Sequence, residues 1–248
     1  MPEGDTIHRA ANRLRPALAG RPLVRIEAPQ ARGRPPKVGT VIDAVEADGK
    51  HLRIRFADGT ALRTHLRMTG SWHLYRTGER WRQPAHLARA TVEVDGWVAV
   101  CFAAPVVAFE RDDTSTAHLG PDLNASEPNI GLAIERLYAI GAGREIGDAL
   151  LDQRIAAGIG NAVKSETMWV QRVDPFALVD DLDRAVARRL FETASKVLRA
   201  GTISARPQSV YGRERQPCVR CGTPIERRRQ GKQARSTYWC PTCQLLSI

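Results

Sequence analysis

Cys218-Val219-Arg220-Cys221 and Cys240-Pro241-Thr242-Cys243 stand eighteen residues apart near the end of the chain. Each CxxC pair brings two sulfurs onto one tight turn. Two such turns at this spacing close around one tetrahedral zinc ion, typically on a β-hairpin ribbon. All four ligands come from protein, so the site reads as structural, with no open catalytic position. Disulfides or a chance spacing are the alternatives. Between the knuckles lie Arg227, Arg228, Arg229, Lys232 and Arg235 against one acid, Glu226, and Tyr238-Trp239 lead directly into Cys240. Guanidinium forks match phosphate oxygens, so a metal-stiffened hairpin tipped with arginine suits phosphate clamping. A solvated charged face is the other reading. From about Gln216 the chain is too polar to own a core, so this ribbon is an appendage to something larger.

Upstream of the ribbon, apolar residues recur at helical spacing over Asn129–Ile140, Ile146–Leu151, Asn161–Gln171 and Leu182–Ala200. The stretch Gly120–Pro128 reads as a linker. Before it the character is different. Short runs alternate in the β manner over Leu23–Ala28, Thr40–Val45, Leu52–Phe56, Ala61–His65, Trp72–Tyr75, Ala90–Val94 and Trp97–Phe102. Asp48-Gly49, Asp58-Gly59 and Asp95-Gly96 are tight-turn signals between them. Many short strands joined by hairpins imply a β-sandwich or barrel. A helix over residues 5–19 precedes them, capped by Asp5 or Thr6 and stopped at Gly20, with Ile7, Ala11, Leu14 and Leu18 on one face. The fold class is therefore α+β: a β-sandwich with a leading helix over 1–120, a helical domain over 121–215 and a zinc ribbon over 216–248.

The chain has 248 residues and a formal net charge of +10, with a pI near 9.9. That balance points to a polyanionic partner, nucleic acid first, with a merely soluble basic protein as the alternative. No apolar run approaches the ~20 residues of a spanning helix, and no signal peptide is read at the start. A cytoplasmic, nucleoid-associated protein with no membrane partner is expected. Paired CxxC cysteines suit metal binding in a reducing compartment. Cys101, alone in the run Trp97–Phe102, reads as a small buried hydrophobe.

The first residues, Met1-Pro2-Glu3-Gly4-Asp5, hold a chemical possibility. If Met1 is removed, Pro2 becomes a terminal secondary amine, able to attack an aldehyde-like carbon and form an iminium ion. Terminal amines titrate near ~8, which leaves a neutral fraction at physiological pH. Glu3 beside it is placed to shuttle the protons. A disordered terminus is the bland alternative.

Four features occur together in this order: Pro2-Glu3-Gly4, Gly49-Lys50-His51-Leu52, Leu150-Leu151-Asp152-Gln153 followed by Gly158-Ile159-Gly160-Asn161, and the terminal ribbon. With them the chain resembles, over essentially its full length, the formamidopyrimidine-DNA glycosylase/endonuclease VIII family of base-excision repair enzymes. The resemblance implies a helix-two-turn-helix element in the helical domain. It implies a monomer acting on double-stranded DNA containing damaged bases or abasic sites, with the duplex between the two halves. It implies Pro2 as nucleophile at C1′ of the damaged nucleotide, Glu3 as proton shuttle and Lys50 as a phosphate contact that assists the chemistry. Asn161 would hold the backbone flanking the lesion at the start of a helix. Tyr211, in Val210-Tyr211-Gly212-Arg213, would contact the backbone too, and Arg235 would grip phosphates around the flipped site. Met68, in His65-Leu66-Arg67-Met68-Thr69-Gly70, would fill the vacated space in the stack. Cys218, Cys221, Cys240 and Cys243 would hold one structural zinc.

Two departures bear on the substrate. Members directed at oxidised purines carry an Arg-Phe pair in a second wedge loop, whereas the corresponding Phe109–Thr116 holds one arginine and no following aromatic. With the Pro-Glu-Gly start, this resembles the endonuclease VIII branch, which prefers oxidised pyrimidines. Thr6 stands where many relatives carry a second acid. The expected function is a bifunctional glycosylase and abasic-site lyase removing oxidised pyrimidines through a proline Schiff base and β,δ-elimination. The alternatives are an oxidised-purine glycosylase, for formamidopyrimidines or 8-oxoguanine, and a non-catalytic lesion-sensing DNA-binding protein.

Overall fold

The structure is a computed structural model and describes residues 2–111, 116, 118–204 and 208–245. The chain divides after His118 into two compact units. The first opens with helix α1 (Gly4–Leu18), whose Ile7, Ala11, Leu14 and Leu18 are all buried. Eight strands follow: β1 (Leu23–Glu27), β2 (Ile42–Asp48), β3 (His51–Phe56), β4 (Thr60–His65), β5 (Ser71–Arg76), β6 (Ala88–Val94), β7 (Trp97–Phe102) and β8 (Val106–Arg111). They form two four-stranded antiparallel sheets, ordered β1-β6-β7-β5 and β2-β3-β4-β8.

Period-2 alternation decides what each sheet buries. Leu52, Ile54 and Phe56 of β3 join Leu62 of β4, Val92 of β6 and the α1 stripe in one core. The intervening His51, Arg53, Arg55, Arg63 and His65 stay partly exposed on the other face. One register slip would exchange these sets, so the hairpin is pinned by its own pattern. Cys101 is fully buried, and burial pushes its thiol up, as a small hydrophobe requires.

Three sequence expectations change here. Helix α1 has Glu3 as its N-cap residue, ahead of the expected Asp5 or Thr6, which lie inside it. Strand β8 was not among the expected strands, and Phe109–Arg111, which reads as the start of a wedge loop, closes it by pairing with Thr60–Leu62 of β4. Residues Asp112–Ser115 of that expected loop lie outside the described residues. Strand β2 also runs on through Glu46-Ala47-Asp48 to the turn, where Asp48 pairs with His51.

The second unit holds α2 (Ile130–Gly141), α3 (Ile146–Ala149), α4 (Asn161–Gln171) and α5 (Arg184–Ile203), then a hairpin of β9 (Glu226–Gln230) and β10 (Arg235–Trp239). Asn129 caps α2, its side chain accepting from Leu132 N at 2.9 Å, and Asp183 caps α5 through Ala185 N. Leu137, Ile146, Leu150, Ile159, Val163, Met168, Phe191 and Leu198 share a core. The stretch Gly120–Pro128 is no free linker. Leu123 is fully buried, and Gly120 N donates to Gln153 O while Leu123 N donates to Ala157 O. The hairpin packs against α4, with only a small cluster of its own around Val210, Cys218, Ile225 and Cys240.

Candidate active site and zinc centre

At the start of α1, Glu3 is the N-cap residue, 1% exposed, and its carbonyl accepts from Thr6 N at 3.0 Å. Asp5 is buried as well. Its Oδ1 accepts from Thr6 N at 2.8 Å and from the Thr6 hydroxyl at 3.4 Å. Thr6 therefore serves as a donor to a buried acid one position earlier. The positive end of the helix favours carboxylates here. Pro2 stands directly before this pair, half-buried. Met1 lies outside the described residues.

Lys50 follows Gly49, whose φ of +57° makes the β2–β3 turn. Across the next hairpin, His51 and His65 are register partners with ring centroids 4.8 Å apart, edge to face. Burial, with the charges of Lys50, Arg67 and Arg63, brings His65 down to about 4. Burial, His65 and Arg63 bring His51 down to about 3. Both rings are neutral at physiological pH. Arg63 Nη1 lies 3.3 Å from His51 Nδ1, and Arg63 forks onto Glu110 at 2.6 Å. Arg67 N donates to His65 Nδ1 at 3.1 Å, which leaves the His65 proton on Nε2.

That bond helps hold Arg67 in the left-handed region, at φ +46°. Leu66 is buried at 1% exposure, and the Thr69 hydroxyl donates to Ala103 O at 2.9 Å. Between these anchors Met68 is 65% exposed. A braced loop thus displays a large apolar side chain to solvent.

In the second unit, Gly158-Ile159-Gly160 turns the chain into α4. Gly158 sits at φ +103°, a conformation open to glycine. Gln153 braces the turn, its Oε1 accepting from Gly158 N at 3.0 Å and its Nε2 donating to Ile159 O at 3.1 Å. Asn161, the first residue of the helix, is 8% exposed, and its Oδ1 is buried without a hydrogen-bond partner among the described residues. The N-cap residue is Gly160, which has no side chain to cap the helix itself.

Glu166, one turn and a half along α4, was not singled out in the sequence. Its carboxylate accepts from Ser209 N at 2.9 Å, Val210 N at 3.0 Å and Tyr211 N at 2.8 Å. It fixes the loop that presents Tyr211, whose ring meets Tyr238 at 5.1 Å. The cations of the ribbon are not equivalent. Arg227 pairs with Glu214 at 2.7 Å, and Arg228 reaches Glu145 at 3.5 Å while lying 4.2 Å over Phe176. Arg235, exposed at the start of β10, meets the neutral amide of Gln233 at 2.9 Å. Like Arg229 and Lys232, it has no acid partner among the described residues.

The four sulfurs of Cys218, Cys221, Cys240 and Cys243 lie within 4.8 Å of one another. Cys221 and Cys240 are 3.4 Å apart, and Cys218 and Cys243 are 4.0 Å apart. Four thiolates around one zinc at ~2.3 Å stand about 3.8 Å from each other, so the set fits that ion. Trp169 Nε1 and Arg220 N each donate to Cys218 Sγ at 3.4 Å, as an outer shell around a metal thiolate does.

The sequence matches the family models for the formamidopyrimidine-DNA glycosylase N-terminal domain over residues 1–105, the formamidopyrimidine-DNA glycosylase H2TH domain over 119–209, and the zinc finger found in FPG and IleRS over 215–245. It is 41% identical to the probable endonuclease 8 2 of Streptomyces coelicolor, covering 98% of this chain and 94% of that one. It is 36% identical to the DNA-(apurinic or apyrimidinic site) lyase Nei2 of Mycolicibacterium smegmatis, with both chains covered in full. Among solved structures, MutM (Fpg) from Thermus thermophilus matches with a TM-score of 0.81 at 28% identity, covering all of both chains. Lactococcus lactis Fpg bound to DNA containing an AP site matches with a TM-score of 0.83 at 21% identity, over 99% of this chain and 100% of that one. From its β-sandwich through its helices to its four-cysteine ribbon, the chain belongs to the formamidopyrimidine-DNA glycosylase/endonuclease VIII family.

Proposed function

We propose that this protein is a bifunctional DNA glycosylase and abasic-site lyase of base-excision repair, of the endonuclease VIII branch, directed at oxidised pyrimidines. The observation that carries this reading is the carboxylate of Glu3, buried at the N-terminus of α1 directly beside Pro2. Relatives named endonuclease 8 and DNA-(apurinic or apyrimidinic site) lyase support it, as does a structural neighbour solved on AP-site DNA. The catalytic groups belong to residues 1–120, and further DNA contacts to 121–215 and 216–248. The protein works in the cytoplasm, on the nucleoid.

C1′ of a nucleotide is inaccessible in a stacked duplex, so the target is extruded, at a cost of a few kcal/mol. Lys50, Asn161, Tyr211 and Arg235 offset that cost through the phosphates, and Met68 fills the hole. With Met1 removed, the Pro2 nitrogen attacks C1′ and the bond to the base breaks, the base leaving with a proton. Glu3 protonates the ring oxygen as it departs, which leaves an iminium between Pro2 and C1′. The iminium acidifies C2′. Loss of that proton expels the 3′ phosphate, loss of a C4′ proton expels the 5′ phosphate, and water frees Pro2. Lys50 stabilises the phosphate charge that develops. Zinc, held by four protein thiolates, supplies folding energy to the ribbon.

Excision rates on matched duplexes test the branch. Thymine glycol is expected to be removed faster than 8-oxoguanine opposite cytosine. The reverse order would assign the protein to the oxidised-purine branch.

A further inference from the structure

Lys164 lies on α4 one turn beyond Asn161 and is fully buried. A buried ammonium is costly unless its protons are satisfied. Its Nζ donates to the Thr237 hydroxyl at 2.7 Å and reaches Ser236 O at 3.4 Å. The Thr237 hydroxyl donates to Gln230 Oε1 at 2.7 Å. Gln230 Nε2 in turn donates to Glu145 Oε2 at 2.8 Å and to Pro175 O at 2.7 Å. Thr237 and Gln230 are themselves buried, on the two strands of the ribbon. Gln230 is the register partner of Arg235, so the chain of bonds ends at the base of the turn that presents Arg235. The turn is also closely seated. A Cβ at Gly231 would fall 1.8 Å from Asp148 Oδ1, and one at Gly147 would fall 2.5 Å from Gln230 Oε1.

The zinc centre sits at the other end of the hairpin, where Trp239 precedes Cys240. Metal binding thus organises the knuckles, and the turn carrying Arg235 needs a second anchor. We infer that Lys164 is a positioning residue: through Thr237 and Gln230 it fixes Arg235 relative to Asn161, so that the ribbon and the start of α4 act as one phosphate clamp. The inference rests on the reading of Arg235 as a phosphate contact. An ordinary packing role for Lys164 would lower stability without touching Arg235 in particular.

The test is a double-mutant cycle on the zinc-loaded, full-length protein, with affinity for a duplex carrying a tetrahydrofuran abasic-site analogue measured against salt. Lys164→Met is expected to weaken binding about tenfold, the scale of one charge-assisted hydrogen bond. It should also reduce the slope of log Kd against log salt by about 1, one phosphate contact, with one zinc per chain retained. In an Arg235→Ala background, Lys164→Met should have no further effect, because coupled residues are non-additive. Equal losses in both backgrounds, or a loss at unchanged salt slope, would overturn the inference and leave Lys164 a packing residue. Thr237→Val, which removes the hydroxyl and keeps the lysine, runs beside it. It decides the matter if Lys164→Met fails to fold: a loss absent in the Arg235→Ala background supports the inference, and an unchanged affinity overturns it. If Arg235→Ala itself leaves affinity and slope unchanged, the reading of Arg235 fails, and with it the need for a positioning residue.

Discussion

Two hairpins of this protein carry cations at or beside their ends, and they are held by different physics. The β3–β4 hairpin, with Lys50 before it and the Met68 loop after it, stands on the sandwich core through Leu52, Ile54, Phe56, Leu62 and Leu66. The β9–β10 hairpin buries Thr237 and Gln230 instead, and depends on four thiolates and a polar chain to Lys164. The first is pinned by hydrophobic alternation that no chelator removes. The second has too little apolar surface, so metal and hydrogen bonds do that work. The contrast gives a physical reason for a zinc site on the second hairpin.

The largest expected effect breaks the second hairpin alone. Cys221→Ser, or chelation, removes binding energy on the order of 10 kcal/mol from the ribbon. It should abolish measurable affinity for abasic-site DNA while the strand signal in circular dichroism remains. Demetallated protein that bound DNA as before would show that the side-chain network suffices. The reciprocal break is Leu66→Ala, which empties a site at 1% exposure. A loss of about 2–5 kcal/mol in urea unfolding is expected, with zinc content unchanged. A smaller stability effect sharpens the comparison from the outside. Met68→Ala removes a side chain in water, so unfolding should move by less than ~0.5 kcal/mol. Affinity for lesion-containing duplex should nevertheless fall, and an unchanged value would remove Met68 from the interface.

A further effect is acid sensitivity in the first hairpin. His51 and His65 titrate in the folded state at about 3 and about 4, below the ordinary histidine value of 6.5. The unfolded chain therefore takes up protons first. The stability these rings contribute is complete above pH 6.5 and is lost as pH falls towards 4 and then 3. His51→Gln should flatten the fall of the melting temperature between pH 6.5 and 4. A parallel fall in variant and parent would mean that other groups govern the acid limb.

Much of this was legible in the sequence, and what was not has physical reasons. The zinc ligands follow from spacing alone, and the α1 stripe and seven of the eight sandwich strands from periodicity. The pairing of His51 with His65 could also have been read, by counting outward from the Asp58-Gly59 turn. Strand β8 was hidden because no turn signal separates it from the segment that follows, and its identity comes from pairing with β4. The stretch Gly120–Pro128 has the composition of a linker, yet Leu123 sinks into the helical core. Glu166 and Lys164 sit on α4 among ordinary polar residues. Their partners, Tyr211 and Thr237, lie more than forty residues downstream, and no local pattern announces such bonds.

The most direct measurement is borohydride trapping on an abasic-site oligonucleotide, after mass spectrometry confirms that Met1 is absent. Reduction should yield a covalent protein–DNA adduct whose peptide maps to Pro2, and Pro2→Gly should lose it while still binding the same DNA. An adduct mapped to a lysine, or no adduct from zinc-loaded protein that binds the DNA, would contradict the assignment of Pro2 as the nucleophile.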